Sequence, residues 1–138
     1  MMQPLSGQTQ GRDMSEQYRI EVEVSAFFIE EQSDIAHDQY AFGYQVRIRN
    51  LGNIGATLIS RHWLISDAHG ALQEVRGQGV IGEQPHLAPG QVFEYSSWAQ
   101  LTTPWGQMRG SYQMQADDGQ RFDADIPEFH LVLPRMLH

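Results

Sequence analysis

MRGSYQMQADDGQRFDADI, residues 108–126, holds two alternating runs separated by a turn. Met108, Tyr112, Met114 and Ala116 share one parity, and Phe122, Ala124 and Ile126 share one after the turn. A period of two in side-chain polarity belongs to a strand with one buried and one wet face. Asp118-Gly119 between the runs supplies the residues that tolerate positive φ, as a tight hairpin requires. The segment therefore predicts an antiparallel β-hairpin, and the rest of the chain repeats its grammar.

Towards the N-terminus, Ile20, Val22, Val24, Ala26 and Phe28 alternate with Arg19, Glu21, Glu23 and Ser25. Tyr40, Phe42, Tyr44, Val46 and Ile48 repeat the pattern against Gln45, Arg47 and Arg49. Segments near 56–65, 71–75, 91–98 and 128–133 also read as strands. Turn residues punctuate them: NLGN at 50–53, DAHG at 67–70, APG at 88–90 and DDG at 117–119. No stretch sustains a helical period over three turns. Seven or eight short strands in one domain predict an all-β, two-sheet immunoglobulin-like sandwich. Residues 1–16 are polar and read as a disordered leader, and 17–138 as the single folded domain. Edge strands of such sandwiches can pair between chains, so a monomer or a weak homodimer through a sheet edge is expected. Arg47 and Arg49 read as guards against that pairing.

Composition removes several function classes. The 138 residues contain no cysteine, which excludes a disulfide framework, a thiol nucleophile and Cys-ligated metal. All nine basic residues are arginine, so lysine chemistry is excluded, including the lysine of a Walker-type phosphate loop. A net charge of −8 argues against nucleic acid and against anionic membranes as partners. No apolar run approaches the roughly 20 residues that span a bilayer, and the expected location is cytoplasmic.

Three further runs are specific enough to carry a resemblance. RHWLISDAHG (61–70), RGQGVIGEQPHLAPGQVFEYSS (76–97) and LTTPWGQMRGSYQM (101–114), with GQRFDADIPEFHLVLP (119–134), are similar to the ApaG family. The resemblance spans roughly residues 18–134 and implies a fibronectin type III-like sandwich with no established enzymatic activity. It also implies an association, by name, with cobalt and magnesium resistance. Similar domains in eukaryotic F-box proteins and in a polymerase-interacting protein look like protein-recognition modules. Trp98-Ala99 departs from the pattern, since family members more often carry glycine and a small residue there.

Gly77, Gly79 and Gly82 spell G-x-G-x-x-G, but Pro85 and Pro89 follow and no βαβ unit surrounds them. A tight loop between sheets that needs glycine for positive φ is the simpler reading. The looser functional one is a nest of N–H groups holding an anion beside Arg76. Arg61 shares the parity of Ile59, Trp63 and Ile65, so it either pairs with a carboxylate on a buried face or marks a change of face. Glu30, Glu31, Asp34, His37 and Asp38 form an acidic loop without metal-ligand spacing, and no metal or other cofactor is expected. Ser96 and Ser97 lack a nucleophile-elbow context. Asp123 and Asp125 share one face of a strand and read as its wet side.

These readings converge on a non-enzymatic binding module that recognises an unidentified protein partner. Its candidate binding residues are Arg76, Gly77, Gly79, Gly82, Gln84, Tyr95, Trp98, Trp105 and Arg61, because aromatics and arginine dominate interface energetics. No catalytic residue is expected. The alternative is a sensor or hydrolase for a phosphorylated small molecule, such as a nucleotide, at the glycine-rich loop 76–86.

Overall fold

A computed structural model describes residues 16–134 of the chain, so all but the last residue of the expected leader lies outside the described residues. Eight strands follow in order: β1 (Ile20–Phe28), β2 (Tyr40–Asn50), β3 (Ala56–Asp67), β4 (Leu72–Gln78), β5 (His86–Leu87), β6 (Val92–Leu101), β7 (Trp105–Ala116) and β8 (Arg121–Val132). They form a three-stranded sheet in the order β1-β2-β6 and a second sheet in the order β4-β3-β7-β8, with β5 added to the start of β3. All pairings are antiparallel. The architecture is the two-sheet sandwich that the alternating runs predict.

The inward parity of each strand supplies the core. Phe42, Tyr44, Val46 and Ile48 of β2 face Leu58, Trp63 and Ile65 of β3 together with Met108, Tyr112 and Met114 of β7. Trp63 sits at the centre, with Tyr44, Tyr112 and Phe129 packed edge-on against its ring and Tyr44 tilted against Phe129. Such aromatic pairs add about 0.5–1.5 kcal/mol beyond the area they bury. Asn50, the one buried amide side chain among the described residues, donates to the carbonyls of Ile54 and Leu87 and accepts from Gly52 N–H. It thereby ties the crossover from β2 to β3 to the short strand β5. Asp118-Gly119 turns β7 into β8, with Gly119 at φ +90°.

Four sequence readings change. Residues 122–126 and 128–133 are one continuous strand, β8, because a bulge at Pro127-Glu128 of β8, opposite Arg109 of β7, absorbs the change of register. Proline is tolerated there because β8 is an edge strand. Ile59 does not alternate with Trp63: a second bulge between Leu58 and Ser60 puts Leu58 inward instead. The glycine-rich loop joins β4 to β5, which both pair with β3, so it runs along one sheet and not between the two. Arg47 and Arg49 guard no edge, because β2 is the central strand of its sheet; they form cross-strand pairs with Glu94 and Glu21.

Candidate functional site

The two lateral seams of the sandwich differ. On one side β1 lies against β8, and Tyr18 bridges them, its ring on Phe122 and its hydroxyl donating to Asp118 at 2.5 Å. On the other side the edges β4 and β6 stand around a cleft of about 470 Å³. Its floor is Tyr44, Trp63, Ile65, Tyr95 and Met108, drawn from the core of both sheets. Its walls are Arg61, Gln73 and Val75 on one side and Ser97 and Ala99 on the other, with Val80 and Ile81 of the glycine-rich loop between them.

The loop is built to sit there. Gly79 N–H and the Gln84 side-chain amide both donate to the Ile59 carbonyl at the β3 bulge, at 2.8 and 2.9 Å. Val80 and Glu83 exchange N–H···O bonds around Ile81-Gly82, whose φ values are +44° and +79°. This is the hairpin turn with left-handed residues at both central positions. Glycine suits it at 82; a β-branched residue at 81 does not, since positive φ costs such residues of the order of 1–2 kcal/mol. Ile81 is nevertheless held there with 56% of its surface exposed, beside the cleft. The N–H groups of Gly79, Val80 and Glu83 already donate within the chain, which leaves little of an anion nest. A strand follows the G-x-G-x-x-G run, not a helix.

Arg61 resolves its awkward parity without a carboxylate. Its guanidinium donates through Nη1 to the carbonyls of Gln78 and Gly79, at 2.9 and 2.8 Å. It lies flat against Gly77, where a Cβ would stand 2.7–2.9 Å from the guanidinium atoms. Gly77 is thus required by close approach and not by its φ. Arg76 points to the other face of the sheet, where it pairs with Glu74 at 3.0 Å. The same carboxylate oxygen meets His62 Nε2, and the two contacts, His62 first, draw the Glu74 carboxyl below its ordinary value.

Tyr95 is a floor residue, its hydroxyl 2.5 Å from that of Tyr112 across the two sheets. Burial pushes the hydroxyls of Tyr44, Tyr95 and Tyr112 above their ordinary value, so all three stay neutral hydrogen-bonding groups and not bases. Trp98, 57% exposed, forms the rim of the cleft. Its register opposite Gly43 puts it on the outer face of the three-stranded sheet, in one row with the exposed Phe27, whose ring covers Gly43. Trp105, 39% exposed at the start of β7, is not part of the cleft. The structure therefore gathers Arg61, Tyr95 and Trp98 at one place, with the glycine-rich loop as its wall, and leaves Arg76 and Trp105 elsewhere. Sequence reasoning passed over Tyr44, Val75 and Ile81, which read as ordinary strand and loop residues until the edges that flank them are known.

The acidic loop folds into two short turns in which Asp34 and His37 pair at 2.8 Å, and among the described residues no three His, Asp or Glu side chains converge. No helix among the described residues is long and apolar enough to cross a membrane.

Comparison with known proteins gives this geometry a lineage. The ApaG domain family (DUF525) matches residues 30–116. A protein named ApaG from Chromobacterium violaceum is 61% identical over 121 residues, covering 88% of this chain and 96% of that one. Another from Aromatoleum aromaticum is 60% identical over 124 residues, covering 90% and 98%. A crystal structure described as the ApaA protein of Bordetella pertussis superposes with a TM-score of 0.85 at 48% identity, over 87% of this chain and 98% of that one. With the domain, most of the chain length and the sandwich itself all matched, the chain belongs to the ApaG family.

Proposed function

We propose that this protein is a non-enzymatic binding module that recognises an extended segment of a protein partner, added as a strand to the β6 edge. The observation that carries the reading is the uneven protection of the sheet edges. Exposed edges are usually blunted by charge, proline or shortness, because unpaired backbone groups invite another strand. β8 carries Asp123, Asp125, Pro127 and Glu128; β1 carries Glu21 and Glu23; β4 carries the Glu74–Arg76 pair. β6 is ten residues long, contains no proline and has Glu94 as its one charge.

A strand laid on β6 would send alternate side chains to opposite faces. One set would enter the cleft over Tyr95 and Ser97; the other would lie beside Trp98 on the outer face. Main-chain bonds would supply affinity and the cleft specificity, which is how strand addition works in general. The neutral hydroxyls and apolar lining suit recognition better than bond-breaking.

The test is selection from a displayed library of random dodecapeptides, followed by binding of the winners to Trp98→Ala. Exposed tryptophans at interfaces carry on the order of 2 kcal/mol, so affinity should fall about tenfold or more. The melting temperature should hardly move, because the indole is mostly in solvent. Winners that bind Trp98→Ala as well as the unaltered protein would sink the reading.

A further inference from the structure

We infer that the cleft selects partner segments carrying an acidic side chain two residues from a large apolar one, with Arg61 reading the carboxylate. The inference rests on strand addition at β6 and goes beyond it by naming the chemistry of the occupant.

Among the described residues Arg61 is the only charged one that lines the cleft; the others there are neutral. In a chain of net charge −8, this is a local inversion of sign. The guanidinium is partly buried, and among the described residues it forms no ion pair; the arginines that do are Arg47, Arg49 and Arg76. Partly buried charges are ordinarily matched by an opposite charge, because carbonyl dipoles compensate only part of the lost hydration. Nη1 is engaged by Gln78 and Gly79, which fixes the plane of the group and leaves the rest of the fork facing a cleft whose hydroxyls belong to Tyr44, Tyr95 and Ser97. A carboxylate is the planar acceptor that such a fork matches.

Spacing follows from the strand. Residues two apart on an added strand share a face, so an acid facing Arg61 places its second neighbour against the apolar part of the cleft, lined by Trp63, Ile65, Val75 and Met108. An acid directly adjacent to the apolar residue would send one of the two outward. The expected signature is therefore apolar-x-acid or acid-x-apolar.

The experiment uses the dodecapeptide winners as amidated synthetic peptides against the unaltered protein. Enrichment of Asp or Glu at the second position from a large apolar residue is expected. Replacing that acid by its amide, a change of charge at nearly constant shape, should weaken binding about tenfold at low salt. The difference should shrink towards 0.5 M salt, to about threefold or less. Millimolar pyrophosphate should not displace the acidic peptide. Winners that protect β6 but lack the acid, or bind equally as amides, would overturn this inference and leave strand addition standing. Winners that do not touch β6 would remove both. Displacement by pyrophosphate would make the cleft a general anion site and contradict the peptide assignment. Arg61→Gln is the direct variant and should level the acid and amide peptides. Because it also loosens the loop at Gln78 and Gly79, the peptide pair on the unaltered protein remains the deciding comparison.

Discussion

The β1/β8 seam and the β4/β6 seam are built from the same alternating strands, yet one is shut and the other open. At the shut seam, Val22, Ala124 and Ile126 are buried where β1 meets β8, Tyr18 spans the gap, and carboxylates and Pro127 protect the outer edge. At the open seam the same core continues into a cleft, and the residues around it, Ile81 and Trp98, are large, apolar and exposed. Large apolar side chains left exposed in this way add little to the stability of the fold. The difference separates residues placed for stability from residues placed for contact, and substitutions should divide along it.

The largest effect is expected at the shut seam. Ile126→Ala removes a side chain that is 3% exposed and should cost about 2–4 kcal/mol, read as a lower urea midpoint at unchanged slope. A loss below about 1 kcal/mol would mean that the seam is less well packed than described. An intermediate effect comes from the tyrosines beneath the open seam. Tyr44, Tyr95 and Tyr112 are held neutral by burial, with native values raised above those of the unfolded chain. Their contribution is complete below about pH 10, where unfolded tyrosines begin to ionise, and is lost as pH rises towards the native values. Stability should therefore be level between about pH 7 and 9 and fall above about 10, and a Tyr95→Phe variant should fall less steeply. Equal steepness would show that Tyr95 ionises as easily in the fold as out of it. The smallest effect is at the strained turn. Ile81→Gly relieves a left-handed β-branched residue but adds freedom to the unfolded chain, so a gain of at most about 1 kcal/mol is expected. A marked loss would make Ile81 a packing residue and weaken its assignment to the contact surface.

Much of the fold was legible in the sequence because period-two alternation and turn chemistry are local signals. The hairpin around Asp118-Gly119 and the buried parities of β2 and β7 needed nothing more. The bulges at Ile59 and at Pro127-Glu128 were not legible, because a bulge shows only when two strands are paired and one has a residue too many. The order of strands was hidden for the same reason, and with it the difference between a guard and a cross-strand pair at Arg47 and Arg49. Of the site, Arg61 announced itself by wrong parity, and Trp98 by its bulk on a strand. Arg76 was singled out beside the glycines, but one residue of strand register turns it to the opposite face from Arg61's cleft. Ile81 carried no sequence signal at all, since its interest lies in a φ value that only the folded turn reveals.

The central claim is that the open seam takes an added strand at β6, and amide hydrogen exchange with a selected peptide bound tests it most directly. The account predicts new protection along Val92–Leu101 on the edge away from β2, with little change at β1 and β8. Protection centred on β1 and β8, or on the outer face carrying Arg76, with β6 unmoved, would contradict it.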